Sequence, residues 1–270
     1  MSVRTSGASP VDASRESTYR RWWVMPLFLG LTVVLSWGAV LQTDGDLLPH
    51  GPFLAAVVVL GLSAGRAGIA DLFRRMVAWR VGARWYVVAP GLVISAHALA
   101  LGVASGLGVV ELNPFDLTLA VALGIVWPLV LMGGQWEEPG WLAFLLTRLQ
   151  RHRAWTPLTV LAIAGTIRAL WHLPLVAYGH IPWFDLVFVS VALQVILTWL
   201  YNATGGSLLI PMLCHLTSNA ALALVRDNLD KGDHQAYWAV YTVAISLVAL
   251  CVLVGTRGRL GFAAEEQART

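Results

Sequence analysis

The chain has 270 residues, 57% of them hydrophobic and only 12% charged, with a formal net charge of +3 and a mean hydropathy of +0.69. A soluble domain carries about 25% charged residues. This chain has too little charge to cover a water-facing surface, so the composition excludes an ordinary soluble protein and points to an all-α, polytopic membrane bundle.

In chain order, residues 1–20 are polar and rich in Ser and Arg, and are expected to form a disordered cytoplasmic tail. They do not read as a signal peptide, because the apolar run that follows is too long and no small-residue cleavage site closes it. A membrane span needs about 20 mostly apolar residues. Segments of that kind fall at 22–41, 51–65, 85–110, 117–134, 157–178, 184–201, 205–225 and 237–255, which makes about eight transmembrane helices. Residues 21–256 form a single membrane domain with a polar motif core at 135–225, and 257–270 form a second cytoplasmic tail. Between the second and third spans, "RAGIADLFRRMVAWRVGARWY" (66–86) mixes Arg with Trp, Leu and Phe at helical spacing, as an amphipathic helix lying on the cytoplasmic interface does.

Basic residues mark orientation, since cytoplasmic loops hold the excess of Lys and Arg. Assigning loops alternately to two sides puts Arg4, Arg15, Arg20, Arg21, Arg66, Arg74, Arg75, Arg80, Arg84, Arg148, Arg151, Arg153, Arg257, Arg259 and Arg269 on one side. The other side receives only Arg226 and Lys231. Both termini are therefore expected in the cytoplasm. The sequence pI near 9.1 is a topology signal and a means of contacting anionic membrane lipids; it requires no nucleic-acid partner. Cys214 and Cys251 both fall inside spans, so no disulfide framework is implied.

Ionisable residues inside spans are costly and are functional candidates by default. They are His97, Glu137, Glu138, Arg168, His172 and His215, joined by the amide of Asn219. Asp185 lies near the outer interface and is expected to be solvated there; His97 is expected to be structural. At about 1.5 Å of rise per residue, Glu137, His172 and His215 all reach mid-bilayer depth. His215 and Asn219 share a helix face at i, i+4, as do Arg168 and His172. Glu137 and Glu138 diverge by about 100°, so one can face a site while the other turns to a neighbouring helix. The pair Gly133-Gly134 is expected to break an otherwise overlong helix, and Pro139 and Pro174 to unwind the chain locally. Non-helical backbone at that depth is tolerated only within protein or beside a water cavity.

Such a set can run hydrolysis. A glutamate can take a proton from water, a neutral imidazole can hold that water, and His with Asn can donate hydrogen bonds to an oxyanion. A set of His172, His215 and Glu137 could instead hold Zn2+, leaving the other glutamate as base.

The motifs "EEPGWLAFLLTRLQ", "WHLPL" and "HLTSN", in this order on successive helices, resemble the CPBP family of intramembrane proteases, which includes the CAAX prenyl-protein endopeptidases and the bacterial Abi proteins. The Arg-Trp segment at 66–86 is similar as well. The resemblance implies a bacterial plasma-membrane endopeptidase acting on a peptide or protein at the membrane, with the site opening toward the cytoplasm. It implies that Glu137 activates water beside Glu138, that His172 partners the water, and that His215 and Asn219 stabilise the oxyanion or, in a metalloprotease description, partly bind metal. Trp141 and Trp171 flank the site as candidate walls. Two positions depart from the family pattern: Leu142 stands where E-E-x-x-x-R has its Arg, and Arg168 stands where an aromatic usually precedes the second-motif His. Arg168 is expected to supply the missing guanidinium by pairing with Glu138. The alternative is a catalytically inactive peptide-binding or bacteriocin-immunity protein that keeps the same pocket. A proton-coupled transporter would show repeated halves, and none is visible.

Overall fold

The computed structural model describes residues 22–38, 40–111, 118–152 and 154–262. The tail 1–20 and residues 263–270 of the second tail lie outside them. Among the described residues the chain is helical, with no strand: α1 Val24–Trp37, α2 Gly51–Met76, α3 Trp85–Gly106, α4 Leu119–Met132, α5 Thr147–Gln150, α6 Pro157–Trp171, α7 Leu173–Ala177, α8 Ser190–Ala203, α9 Leu209–Asp227 and α10 His234–Gly255. Two π-helical stretches, Pro139–Leu146 and Asp185–Val189, run directly into α5 and α8.

Among the described residues, five helices are long and apolar enough to cross a membrane: α2, α3, the continuous Asp185–Ala203, α9 and α10. The apolar α1 and α6 are shorter. Large apolar side chains such as Leu62, Val87, Val103, Leu247 and Val254 face outward, which suits lipid and would not suit water. The protein is a multi-pass membrane protein.

The core forms where small residues let helices approach. Ala89, Val93, Ala96, Ala100 and Ala104 are buried along one face of α3, which packs against α9 and α10; small residues at membrane-helix interfaces permit this closeness. α2 breaks at Gly65, whose φ of 63° and ψ of −157° is backbone that only glycine adopts readily. The break falls at the boundary expected between the second span and the Arg-Trp segment. The helix beyond it ends at Met76, well short of residue 86.

Hydrogen bonds gather one end of the bundle. Arg75 donates to the Tyr201 hydroxyl (3.1 Å), Ser207 to the Ala78 carbonyl (2.8 Å), Gln150 to Asn202 (3.1 Å), and Asn202 to the Leu260 carbonyl (2.9 Å). This is the Arg-rich end. The connection after α1, the turn after α7, the end of α9 and the start of α10 lie at the other.

Candidate active site

The site is built around a chain break in mid-bundle. α4 stops at Met132, Gly133 is extended (φ −81°, ψ 165°), and Gly134–Glu137 make a 3-10 turn. Pro139 then opens the π-helical stretch. The expected break at the glycine pair and the irregularity at Pro139 are both present. Gly140 packs so closely on the start of α2 that a Cβ there would collide with the Pro52 carbonyl.

The break delivers two carboxylates to a buried cluster. Glu137 is 4% exposed and Glu138 0%, and between them stands Arg168 at 2%. Arg168 Nη2 donates to Glu138 Oε1 and lies 3.3 Å from Glu137 Oε2. Its Nη1 donates to Gln194 Oε1 at 3.2 Å, and Gln194 Nε2 donates to Thr198 Oγ1 at 3.0 Å. Arg168 thus meets Glu138, the partner expected from the sequence, and Glu137 besides. His215 Nδ1 donates to the same Glu138 oxygen at 2.6 Å, while Glu138 Oε2 has no hydrogen-bond partner among the described residues.

Gln194 and Thr198 escaped the sequence reading because neither is ionisable. The available signal was an i, i+4 amide–hydroxyl pair inside the apolar run "VALQVILTWL", since such side chains commonly bond between membrane helices.

A cavity of about 620 Å³ adjoins the cluster and is lined by Glu137, Arg168, His172, His215 and Asn219, among others. Glu138 is not in its wall; it turns away to Arg168 and His215, which is the divergence expected of adjacent helical residues. A Cβ on Gly134 would lie 2.5 Å from His215 Nε2 and 2.9 Å from Glu137 Oε1. Those two atoms therefore border one small space that only a glycine leaves open. His172 caps α6, and its Nδ1 donates to the Arg168 carbonyl at 2.9 Å, leaving Nε2 as its acceptor.

Trp171 is a cavity wall. Trp141 is not: it is 1% exposed, edge-on to Trp171 (5.8 Å) and Phe28 (6.0 Å), and so supports that wall from behind. His97 is structural, with Nδ1 2.6 Å from the Tyr237 hydroxyl and its ring stacked on Tyr241.

Three further expectations need correction. The zinc set of His172, His215 and Glu137 does not assemble. Among the described residues the ligand-type atoms that converge, within 4.8 Å, belong to Glu137, Glu138 and His215. That cluster already holds the Arg168 guanidinium against both carboxylates, so a dication there would face a fixed positive charge, and the residues present do not fit the expected zinc site. Asp185, expected to be exposed to solvent near the outer interface, is instead largely buried: it is 9% exposed and lines the cavity.

The cavity also does not open at the Arg-rich end. Its outer lining includes Thr43, Asp46, Leu48, His180, Ile181 and Arg226, all from the opposite end of the bundle. The Arg-rich end is closed by the packed π-helical stretch, where Leu142, Phe144 and Leu146 are completely buried.

No curated protein and no solved structure matches the chain. A family model does: "Type II CAAX prenyl endopeptidase Rce1-like" matches residues 119–221. The match supports the resemblance to the CPBP intramembrane proteases, and the matched residues include every candidate site residue.

Proposed function

We propose that this protein is an intramembrane endopeptidase that hydrolyses peptide bonds of membrane-associated substrates with a glutamate-activated water. The observation that carries the reading is the space beside Gly134, bordered by Glu137 Oε1 and His215 Nε2 and open to the cavity. A water there can give a proton to Glu137 while its oxygen attacks the scissile carbonyl carbon. The other Glu137 oxygen faces Arg168, which keeps the carboxylate oriented.

Charge then develops on the carbonyl oxygen. Asn219 donates to it from its amide, and His215 from Nε2 in its doubly protonated form, with Nδ1 tied to Glu138. One such donor contributes roughly 2.7–4 kcal/mol to the transition state. The carbon–nitrogen bond breaks as Glu137 passes its proton to the leaving amine. His172, oriented through the Arg168 carbonyl, offers Nε2 as an acceptor to the water. Arg168 is a positioning residue. It takes the role of the family's missing motif arginine from the next helix, and Gln194 holds it from a third.

We propose eight crossings of a bacterial plasma membrane, with α4 and the π-helical stretch sharing one and α6 with α7 another. The Arg-rich ends are then cytoplasmic, residues 66–76 lie along that interface, and substrate enters from the opposite face.

The test is cleavage of a panel of quenched membrane-peptide reporters by detergent-purified protein. Cleavage that Glu137→Gln abolishes supports the reading. A folded wild type that cuts nothing, yet binds peptides, replaces it with the peptide-binding or immunity alternative.

A further inference from the structure

Asp185 has no part in the hydrolytic cluster, yet it is a buried carboxylate in the wall of the same cavity. Its Oδ2 accepts one hydrogen bond, from Trp238 Nε1 at 2.7 Å. It opens the π-helical stretch that leads into α8, where the helix dipole favours a negative charge. Neither feature supplies a cation. Among the described residues no Lys, Arg or His forms an ion pair with it, including Arg226, which lies over the Trp238 ring at 5.7 Å. A buried carboxylate without a counter-charge is costly and is rarely kept without a use. The cavity volume is that of a ligand pocket, and Asp185 and Glu137 both line it.

We propose that Asp185 anchors a cation subsite in this cavity, which receives a positively charged nitrogen of the bound peptide: a basic side chain or a free N-terminal ammonium. Trp238 and Tyr241 line the cavity beside Asp185, so the wall around the carboxylate is aromatic and offers it no second charge. Substrate entering from the mouth passes Asp46 and His180 at the rim before reaching Asp185. The peptide nature of the ligand rests on the protease reading; the charge preference rests on Asp185 alone.

Binding separates the two. Full-length Glu137→Gln protein in detergent is titrated with short apolar fluorescent peptides carrying one central lysine or norleucine, each with a free or acetylated N-terminus. A peptide with a cationic nitrogen is expected to bind about tenfold more tightly than its acetylated norleucine twin. Comparing the singly charged peptides tells whether the lysine or the terminal ammonium is the ligand. Asp185→Asn, which can still accept from Trp238, erases the preference; Asp185→Glu keeps it, and so does the rim change Asp46→Asn. Equal affinity for charged and neutral peptides, no binding by either included, overturns the subsite, as does a preference that survives Asp185→Asn. A charge preference without cleavage of the same peptides by wild type leaves the subsite standing and removes the protease.

Discussion

Arg168 and Glu138 lie thirty positions apart in the chain and meet as a buried ion pair, 2% and 0% exposed. The guanidinium comes from α6 and the carboxylate from the chain break after α4, so the pair ties together the two elements that frame the candidate site. Breaking a buried pair by removing one partner costs about 3–5 kcal/mol. Arg168→Leu is therefore expected to lower stability by that order, read as an earlier unfolding midpoint in detergent. Adding Glu138→Gln removes the stranded charge and should recover part of the loss, with a coupling that a double-mutant cycle measures. An Arg168→Leu protein as stable as wild type would show that the pair holds nothing together.

Glu137→Gln keeps the side-chain shape and can still accept from Arg168, but it cannot take a proton. Cleavage of a reporter peptide should fall by about 100-fold or more with the unfolding midpoint close to wild type. Unchanged cleavage would assign the proton transfer elsewhere.

The Arg168 guanidinium occupies the place where a dication would balance the two carboxylates. Activity should accordingly survive prolonged treatment with a strong chelator, and added Zn2+ should not raise it. Loss of cleavage on chelation, restored by Zn2+, would overturn the metal-free mechanism.

Gly134 leaves the space between Glu137 and His215 open. Gly134→Ala puts a methyl group 2.5 Å from His215 Nε2, where the water belongs. Its backbone φ is not in the left-handed region, so the expected result is a folded protein with cleavage reduced about 100-fold. Cleavage at the wild-type rate would move the water away from this pair.

The mouth of the cavity lies opposite the Arg-rich end. With Cys214 and Cys251 replaced, Ile181→Cys should react with a membrane-impermeant maleimide in intact cells, and Trp79→Cys only after permeabilisation. A bulky label at Ile181 should also block peptide binding. The reverse pattern would put the mouth in the cytoplasm.

Much of this was legible in the sequence. Low charge and the apolar runs determined a membrane bundle, because lipid tolerates little unpaired charge. Gly133-Gly134 and Pro139 marked the break, since two glycines and a proline cannot sustain a regular helix under an apolar load. The i, i+4 spacing put Arg168 with His172 and His215 with Asn219 on shared faces, and the scarcity of buried counter-charges paired Arg168 with Glu138. Periodicity, however, sets only an angle on a residue's own helix. Which of the two glutamates faces the cavity, that Gln194 on α8 holds Arg168, that Trp141 stands behind Trp171, that Asp185 is buried and that the Arg-rich end is the closed one all depend on how helices distant in sequence pack. Packing was decided by contacts among neighbouring helices, above all the small-residue faces and the Gly140–Pro52 approach, and these exist only in the tertiary structure.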